Sequence, residues 1–352
     1  MSRPAVRTAQ DERFDRVLVI HHRSGIGDLI WHLPYIRAIA AHTAGGRVTV
    51  MARPSCRATD ILAGEPAVEE VIEYDYRPRA AEGRQGRHTG PGGLLSICGE
   101  VRRRRFSHVF IFSSRVRYGL IALLAGIPHR AGFGFGAVER LLLNDRRFIA
   151  RHAGAGSWVY PEATAFAVAH GFVQGPVVPR MHVPAAIRDN AAAELAGLPS
   201  PCVALAIGTS EPRKDWGAEN FARLAAALVR TGYGVVLLGG PGERETAGRI
   251  VALAGVHGTS IRPICQSSVL KSAGVLACCR LCAGNDTGIL NVAAACEVPA
   301  LGLFGATRPL SHDPLLTGIE APGMAAIAVE QVVERVNAML DRRTVDSAGR
   351  GE

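Results

Sequence analysis

No stretch of this 352-residue sequence approaches the roughly 20 consecutive apolar residues that a membrane-spanning helix needs, although 48% of its residues are hydrophobic. Residues 1–13 are polar and lack the apolar core of a signal peptide, so a cytosolic location is expected. Cysteine is sparse, at eight residues, and most of them sit inside apolar runs, where a free thiol behaves as a small hydrophobe. Cys278, Cys279, Cys282 and Cys296 crowd together, but on a strand neighbouring side chains alternate faces and cannot converge. No metal is expected there. The first glycine-rich turn, Arg23-Ser-Gly-Ile-Gly-Asp28, continues Leu29-Ile30 and so lacks the third glycine of G-x-G-x-x-G, which disfavours a nicotinamide dehydrogenase. Nor does any nucleic-acid module accompany the basic charge, so nucleic acid is not expected as a partner.

What is present is a net charge of +9, supplied almost wholly by arginine, and 40 glycines. The charge favours acidic partners such as anionic lipid headgroups or phosphorylated sugars. The length is enough for two cores, and strand-like runs alternate with helical ones, the pattern of parallel α/β units. The expected organisation is a disordered lead-in at 1–13, one domain at 14–184, a second at 185–341 and a disordered tail at 342–352.

In the first half, Val17-Leu-Val-Ile20 reads as a buried strand, followed by the loop His21–Asp28 and a helix to about His42 that Pro34 should bend. Asp28 lies in the first helical turn. It complements the helix dipole in one reading; in the other it is a carboxylate at the C-terminal edge of a parallel sheet, where α/β proteins bind ligands, able to accept a proton. Strands follow near 48–51, 68–74 and 109–112. Between them, residues 77–93 are rich in Gly, Pro and Arg and read as a mobile basic loop, either a solvated insertion or a clamp for an anionic acceptor.

The second half restarts the pattern with strand 203–207, helix 218–231, strand 234–238 and helix 244–254. The loop Gly208–Gly217 sets Thr209, Ser210 and Lys214 after a buried strand, a combination able to hold a phosphate through hydroxyls, backbone and a point charge. Cys282-Ala-Gly-Asn-Asp-Thr-Gly288 then reads as strand end and tight loop, with Asp286 as the N-cap of a small-residue helix from Ile289 to Cys296. Such a loop presents free N–H groups backed by a helix dipole, suited to a diphosphate. The alternative, an ordinary capped helix, is open at this point. Two domains facing each other across a cleft would bring Asp28 opposite Thr209, Lys214 and the Asp286–Gly288 loop, an arrangement for moving a group from a phosphate to a hydroxyl.

Three segments, Gly25-Ile-Gly-Asp-Leu-Ile-Trp-His-Leu-Pro34, Gly208-Thr-Ser-Glu-Pro-Arg-Lys-Asp-Trp216 with Leu237–Glu243, and Gly284-Asn-Asp-Thr-Gly288 through Phe304-Gly305, resemble glycosyltransferase family nine, the heptosyltransferases of lipopolysaccharide core assembly. The resemblance runs from about Val17 to Pro309. It implies a GT-B fold of two Rossmann-like domains, an inverting transfer without metal or cofactor, Asp28 as general base and Ser24, Gly25 and Gly27 as a glycine loop near the acceptor. It further implies a donor site of Thr209, Ser210, Lys214 on the diphosphate, Glu243 on the ribose, Asp286 near the sugar, Thr287, Gly288 and Asn291. The implied donor is ADP-heptose and the implied acceptor an anionic glycolipid at the cytoplasmic face of the inner membrane. Asn291 stands where the family commonly has His; it keeps hydrogen bonding but carries no charge. Two alternatives remain, a glycosyltransferase using another nucleotide sugar for a different glycan or protein acceptor, and a catalytically silent nucleotide-sugar binder.

Overall fold

The computed structural model describes residues 14–78, 83–209, 211–256, 259–266, 268–309 and 312–348. The lead-in 1–13 and Ser210 lie outside the described residues. The chain divides into two compact units, Met1–Pro179 and Arg180–Glu352. Arg180 is tied to the second unit by its Nη1, 2.9 Å from Asp313 Oδ2, and the Met181 N–H donates to Ala295 O at 2.8 Å.

In the first unit, strands β1 (Val17–His21), β2 (Val48–Ala52), β3 (Val68–Glu73), β4 (His108–Phe112) and β5 (His129–Gly132) form one sheet in the order β3-β2-β1-β4-β5. Every pairing is parallel. Every residue of β1 and β2 is buried, as expected where helices cover both faces of a sheet. The helices are α1 (Ile26–Ala41), α2 (Ala58–Ile61), α3 (Gly90–Arg103), α4 (Val116–Leu124), α5 (Ala137–Leu142) and α6 (Val159–Ala169). Leu29, Ile30, Leu33, Ile36 and Ile39 of α1 are all buried, and the helix carries Pro34 in its interior without ending there.

The stretch 77–93 differs from the loose loop expected. Helix α3 begins inside it, at Gly90, and His88 is buried at 1% exposure. The His88 ring accepts the Asp75 N–H, the His88 backbone N–H donates to Asp75 O at 2.7 Å, and Arg84 pairs with Asp75 at 2.6 Å. A Cβ at Gly93 would stand 2.2 Å from the carbonyl carbon of His88, so glycine serves close packing there rather than looseness. Residues 79–82 of this stretch lie outside the described residues.

The second unit contains β6 (Cys202–Ala206), β7 (Gly234–Gly239), β8 (Ile261–Cys265), β9 (Leu281–Asn285), β10 (Ala300–Phe304) and β11 (Leu316–Glu320), parallel in the order β11-β10-β9-β6-β7-β8. Its helices are α7 (Ala185–Glu194), α8 (Ala218–Arg230), α9 (Arg244–Ala254), α10 (Val269–Ala277), α11 (Gly288–Ala295) and α12 (Val329–Ala348). Helix α12 buries a face of Val332, Val336 and Leu340, and its backbone continues helical to Ala348, past residue 342 where the tail was expected to begin.

Each sheet has one point where the winding reverses. From β1 the chain builds outward to β2 and β3, then returns to place β4 on the other side; from β6 it builds to β7 and β8, then returns to β9. The carboxyl ends of strands beside such a reversal leave a crevice that no crossover covers, the usual ligand position in an open α/β sheet. The loops after β1, β6 and β9 carry most of the residues singled out in the sequence.

Candidate active site

At the first reversal the chain leaves buried β1, turns through Ser24 and enters α1 at its N-cap Gly25. Gly27 is buried in the first turn. Asp28 is the third residue of the helix, the position from which a carboxylate reaches back to the N-cap backbone. It does so here: the Gly25 N–H bonds to it, and a Cβ at Gly25 would approach Asp28 Oδ2 to 2.9 Å. Arg23 Nε lies 3.5 Å from the same oxygen, with the Asp28 side chain 20% exposed. Burial pushes the Asp28 carboxyl above its ordinary value of 3.8, and the pull of Arg23 and the Gly25 N–H in the other direction only partly offsets it. A carboxylate of this kind is a stronger base than one in water, while the guanidinium beside it favours its ionised form.

Three imidazoles lie alongside. His21 and His32 meet Nδ1 to Nδ1 at 2.8 Å, both buried, and His22 Nδ1 is 2.8 Å from Phe112 O. Burial holds His22 at about 4 and His32 at about 3, so they are neutral at physiological pH. Nothing in the spacing of residues 21 and 32 in the sequence shows that strand and helix bring them together.

At the second reversal, the loop after β6 folds back on itself. Thr209 Oγ1 donates to Glu211 O at 3.1 Å, and the turn Pro212–Lys214 follows. Lys214 Nζ sits 2.8 Å from Asp286 Oδ2 and 3.2 Å from Glu211 Oε1. Burial works against the lysine's charge, but the hydrogen bonds and charges of these carboxylates outweigh it and hold its pKa above the ordinary value. The Thr307 hydroxyl, in the loop after β10, donates to the same Asp286 oxygen at 2.7 Å. Asp286 is therefore not the N-cap that its sequence position suggests. Thr287 occupies that position, with no side-chain capping bond, and Gly288 opens α11. Asp286 is drawn away because a lysine and a hydroxyl offer it stronger partners than a backbone N–H.

The two loops are held together by Asn285, fully buried at the end of β9. Its Oδ1 accepts the Trp216 N–H at 3.0 Å and its Nδ2 donates to Ile207 O at 2.9 Å. One residue earlier, a Cβ on Gly284 would fall 2.2 Å from Ala206 O, so β9 and β6 approach more closely than any other residue allows. Glu243, after β7, turns its Oε2 onto the Gly240 N–H at 2.7 Å and stands beside Gly208, where an added Cβ would be 3.4 Å from its carboxyl carbon. Asn291 is buried within α11. The structure thus brings Thr209, Lys214, Glu243, Asp286, Thr287 and Gly288 to one edge of one sheet. Burial pushes the Cys282 and Cys296 thiols up to about 12, as befits core side chains, and among the described residues no group of His, Cys, Asp and Glu could hold a metal ion.

A model of glycosyltransferase family 9 (heptosyltransferase) matches residues 95–333, more than half of the chain. The chain belongs to this family. Lipopolysaccharide heptosyltransferase 2 of Escherichia coli K12 is 27% identical to this family 9 chain over 358 residues, covering 92% of it and 98% of the relative. The Salmonella typhimurium protein of the same name is 27% identical over 325 residues, covering 86% and 89%. Among solved structures, the E. coli ADP-heptose lps heptosyltransferase II superposes with a TM-score of 0.71 at 24% identity over 94% of this chain and 99% of its own. A family 9 glycosyltransferase from Veillonella parvula reaches 0.77 at 19% identity, covering 95% and 100%. The fold is therefore GT-B, with two Rossmann-like units, and the chain is a glycosyltransferase.

Proposed function

We propose that this glycosyltransferase moves heptose from ADP-heptose to a hydroxyl of a lipopolysaccharide core acceptor, with inversion at the anomeric carbon. Its full-length relatives are named lipopolysaccharide heptosyltransferases. The observation that carries the chemistry is Asp28, a half-buried carboxylate with a raised pKa at the reversal point of its sheet. In this reading Asp28 takes the proton as the acceptor oxygen attacks the anomeric carbon. The bond from that carbon to the diphosphate oxygen breaks, and its electron pair leaves with ADP. Lys214 turns from Asp286 and Glu211 toward the diphosphate, joined by Thr209, Ser210 and the free N–H groups of Thr287 and Gly288 at the start of α11. Glu243 takes the ribose hydroxyls; Asp286, released by Lys214, and Asn291 take the sugar.

The acceptor is an anionic glycolipid, met by Ser24, Gly25 and Gly27 beside Asp28. Among the described residues no helix is long and apolar enough to cross a membrane. A net charge of +9 supports peripheral work at the cytoplasmic face of the inner membrane, held by anionic lipid. Asn291 favours one second reading, in which the donor carries a different sugar. ADP release from ADP-heptose in the presence of a Kdo-containing lipid acceptor tests the proposal. Asp28→Asn should lower kcat by about 10²–10⁴-fold with KM for the donor little changed; a variant as active as the parent would remove Asp28 from the role of base.

A further inference from the structure

Arg23 occupies a constrained position. Its guanidinium carbon lies 4.4 Å from the centre of the Trp158 ring, on the residue that caps α6, and its Nε lies 3.5 Å from Asp28 Oδ2. Three pieces of chain thus meet at one charge: the loop after β1 supplies Arg23, α1 supplies Asp28 and the start of α6 supplies Trp158. Arg23 Nε is buried and makes no hydrogen bond of its own. A long, flexible cation is normally free to leave an isolated carboxylate for water; stacking on an indole face restrains it.

We infer that Trp158 and Arg23 are positioning residues for the base, with the stacked guanidinium keeping Asp28 ionised and oriented while the carboxylate is withdrawn from water. The inference rests on the proposed role of Asp28. Every charge-bearing neighbour supports Arg23 as the group that acts. From the strand and loop, His21 and His22 are neutral, as is His32 on α1. From the turn Pro54–Cys56, the Cys56 thiol, which senses Asp28, is pushed up to about 12 and is uncharged. From α6, Glu162 feels Arg23 together with Arg151 and His152, so it competes for the guanidinium rather than charging the base. Arg53 and Arg115 act on His22. The single side-chain cation acting on Asp28 among the described residues is Arg23.

The test is the pH dependence of kcat/KM for glycosyl transfer in Arg23→Met, Arg23→Lys, Trp158→Leu and Asp28→Asn. An opposite charge at this distance lowers a carboxyl pKa by at least one unit, so Arg23→Met should move the acid limb up by about one pH unit while the plateau at high pH is largely kept. Arg23→Lys, which retains charge without the planar stack, should fall between, and Trp158→Leu should shift the limb in the same direction by less. Binding of ADP-heptose, measured by calorimetry, should be unchanged in the Arg23 and Trp158 variants, and a cooperative thermal melt like the parent's verifies that the first unit, which carries both residues, folds. If Arg23→Met binds donor but loses rate equally at every pH, or keeps the parental acid limb, the inference fails while Asp28 stands. If Asp28→Asn is itself active, the base assignment fails, and the role given to Arg23 fails with it.

Discussion

Asp28 and Lys214 are charged groups held against their own desolvation, and that tension makes both testable. The folded-state pKa of Asp28 is raised above 3.8, so the folded chain holds its proton more tightly than the unfolded chain. Its contribution to stability is therefore most favourable below that ordinary value and is lost as pH rises through the folded value. Asp28→Asn, which carries no charge, escapes this loss. It is expected to melt at a higher temperature than the parent at neutral pH, with the gap closing as pH falls toward about 4; thermal melts across pH read this directly, and a destabilised variant at neutral pH would contradict it. Lys214→Ala leaves Asp286 facing a diphosphate without the cation that neutralises it, while Glu211 keeps Arg213 as its partner. ADP binding should weaken by roughly ten- to a hundredfold, the range of a charge-assisted hydrogen bond, as calorimetry would show; unchanged affinity would place Lys214 outside the donor site. Both residues were legible in the sequence because each follows a buried strand in a glycine-bounded loop. Their partners were not. Arg23 on Trp158 and Thr307 on Asp286 join residues far apart in the chain, and only the folded sheet sets those distances.

Among elements, the central strands of both sheets and the edge strand β3 could be read, whereas the two edge strands of the second sheet could not. Strands β1, β6, β9 and β10 are buried along their whole length and appear as unbroken apolar or small-residue runs. Strands β8 and β11 lie at the two edges of their sheet and went unseen. Ile261-Arg-Pro-Ile-Cys265 carries Arg262 and Pro263, which an edge tolerates because one side of the strand makes no ladder, and Leu316–Glu320 is buried at only two positions. Helix α10 was missed as well, although Ser268 caps it by accepting the Lys271 N–H, because it merges into the apolar run that leads to β9. The element that most affects function is the joint between β9 and the loop after β6. Asn285→Leu would leave the buried Trp216 N–H and Ile207 carbonyl unpaired, at a cost of roughly 2–4 kcal/mol. It should also weaken ADP binding, since the loop bearing Thr209 and Lys214 loses its anchor. Urea unfolding together with ADP titration checks this; a loss of stability with binding intact would show that the loop is held by other contacts.

For the whole molecule, each unit has its own parallel sheet and its own apolar core, and each places its chemistry beside a reversal of winding. Two parallel α/β units could be read from the two runs of alternating strands and helices, while the GT-B architecture was implied by the resemblance of the three motif segments to family nine. Helix α12 packs Val332, Val336 and Leu340 on the second core, and its continuation to Ala348 is not announced by the polar residues beyond Leu340. Family membership makes the chain a glycosyltransferase, the net charge of +9 supports the proposed anionic acceptor, and turnover is the most direct measurement of that proposal. Purified protein should be incubated with ADP-heptose and a Kdo-terminated lipid acceptor, with ADP release followed and the anomeric configuration of the product read by NMR. The account predicts stoichiometric ADP and a heptosylated acceptor of inverted configuration, formed about 10²–10⁴-fold more slowly by Asp28→Asn. Release of a nucleotide from a different sugar donor with none from ADP-heptose, or a product of retained configuration, would contradict it.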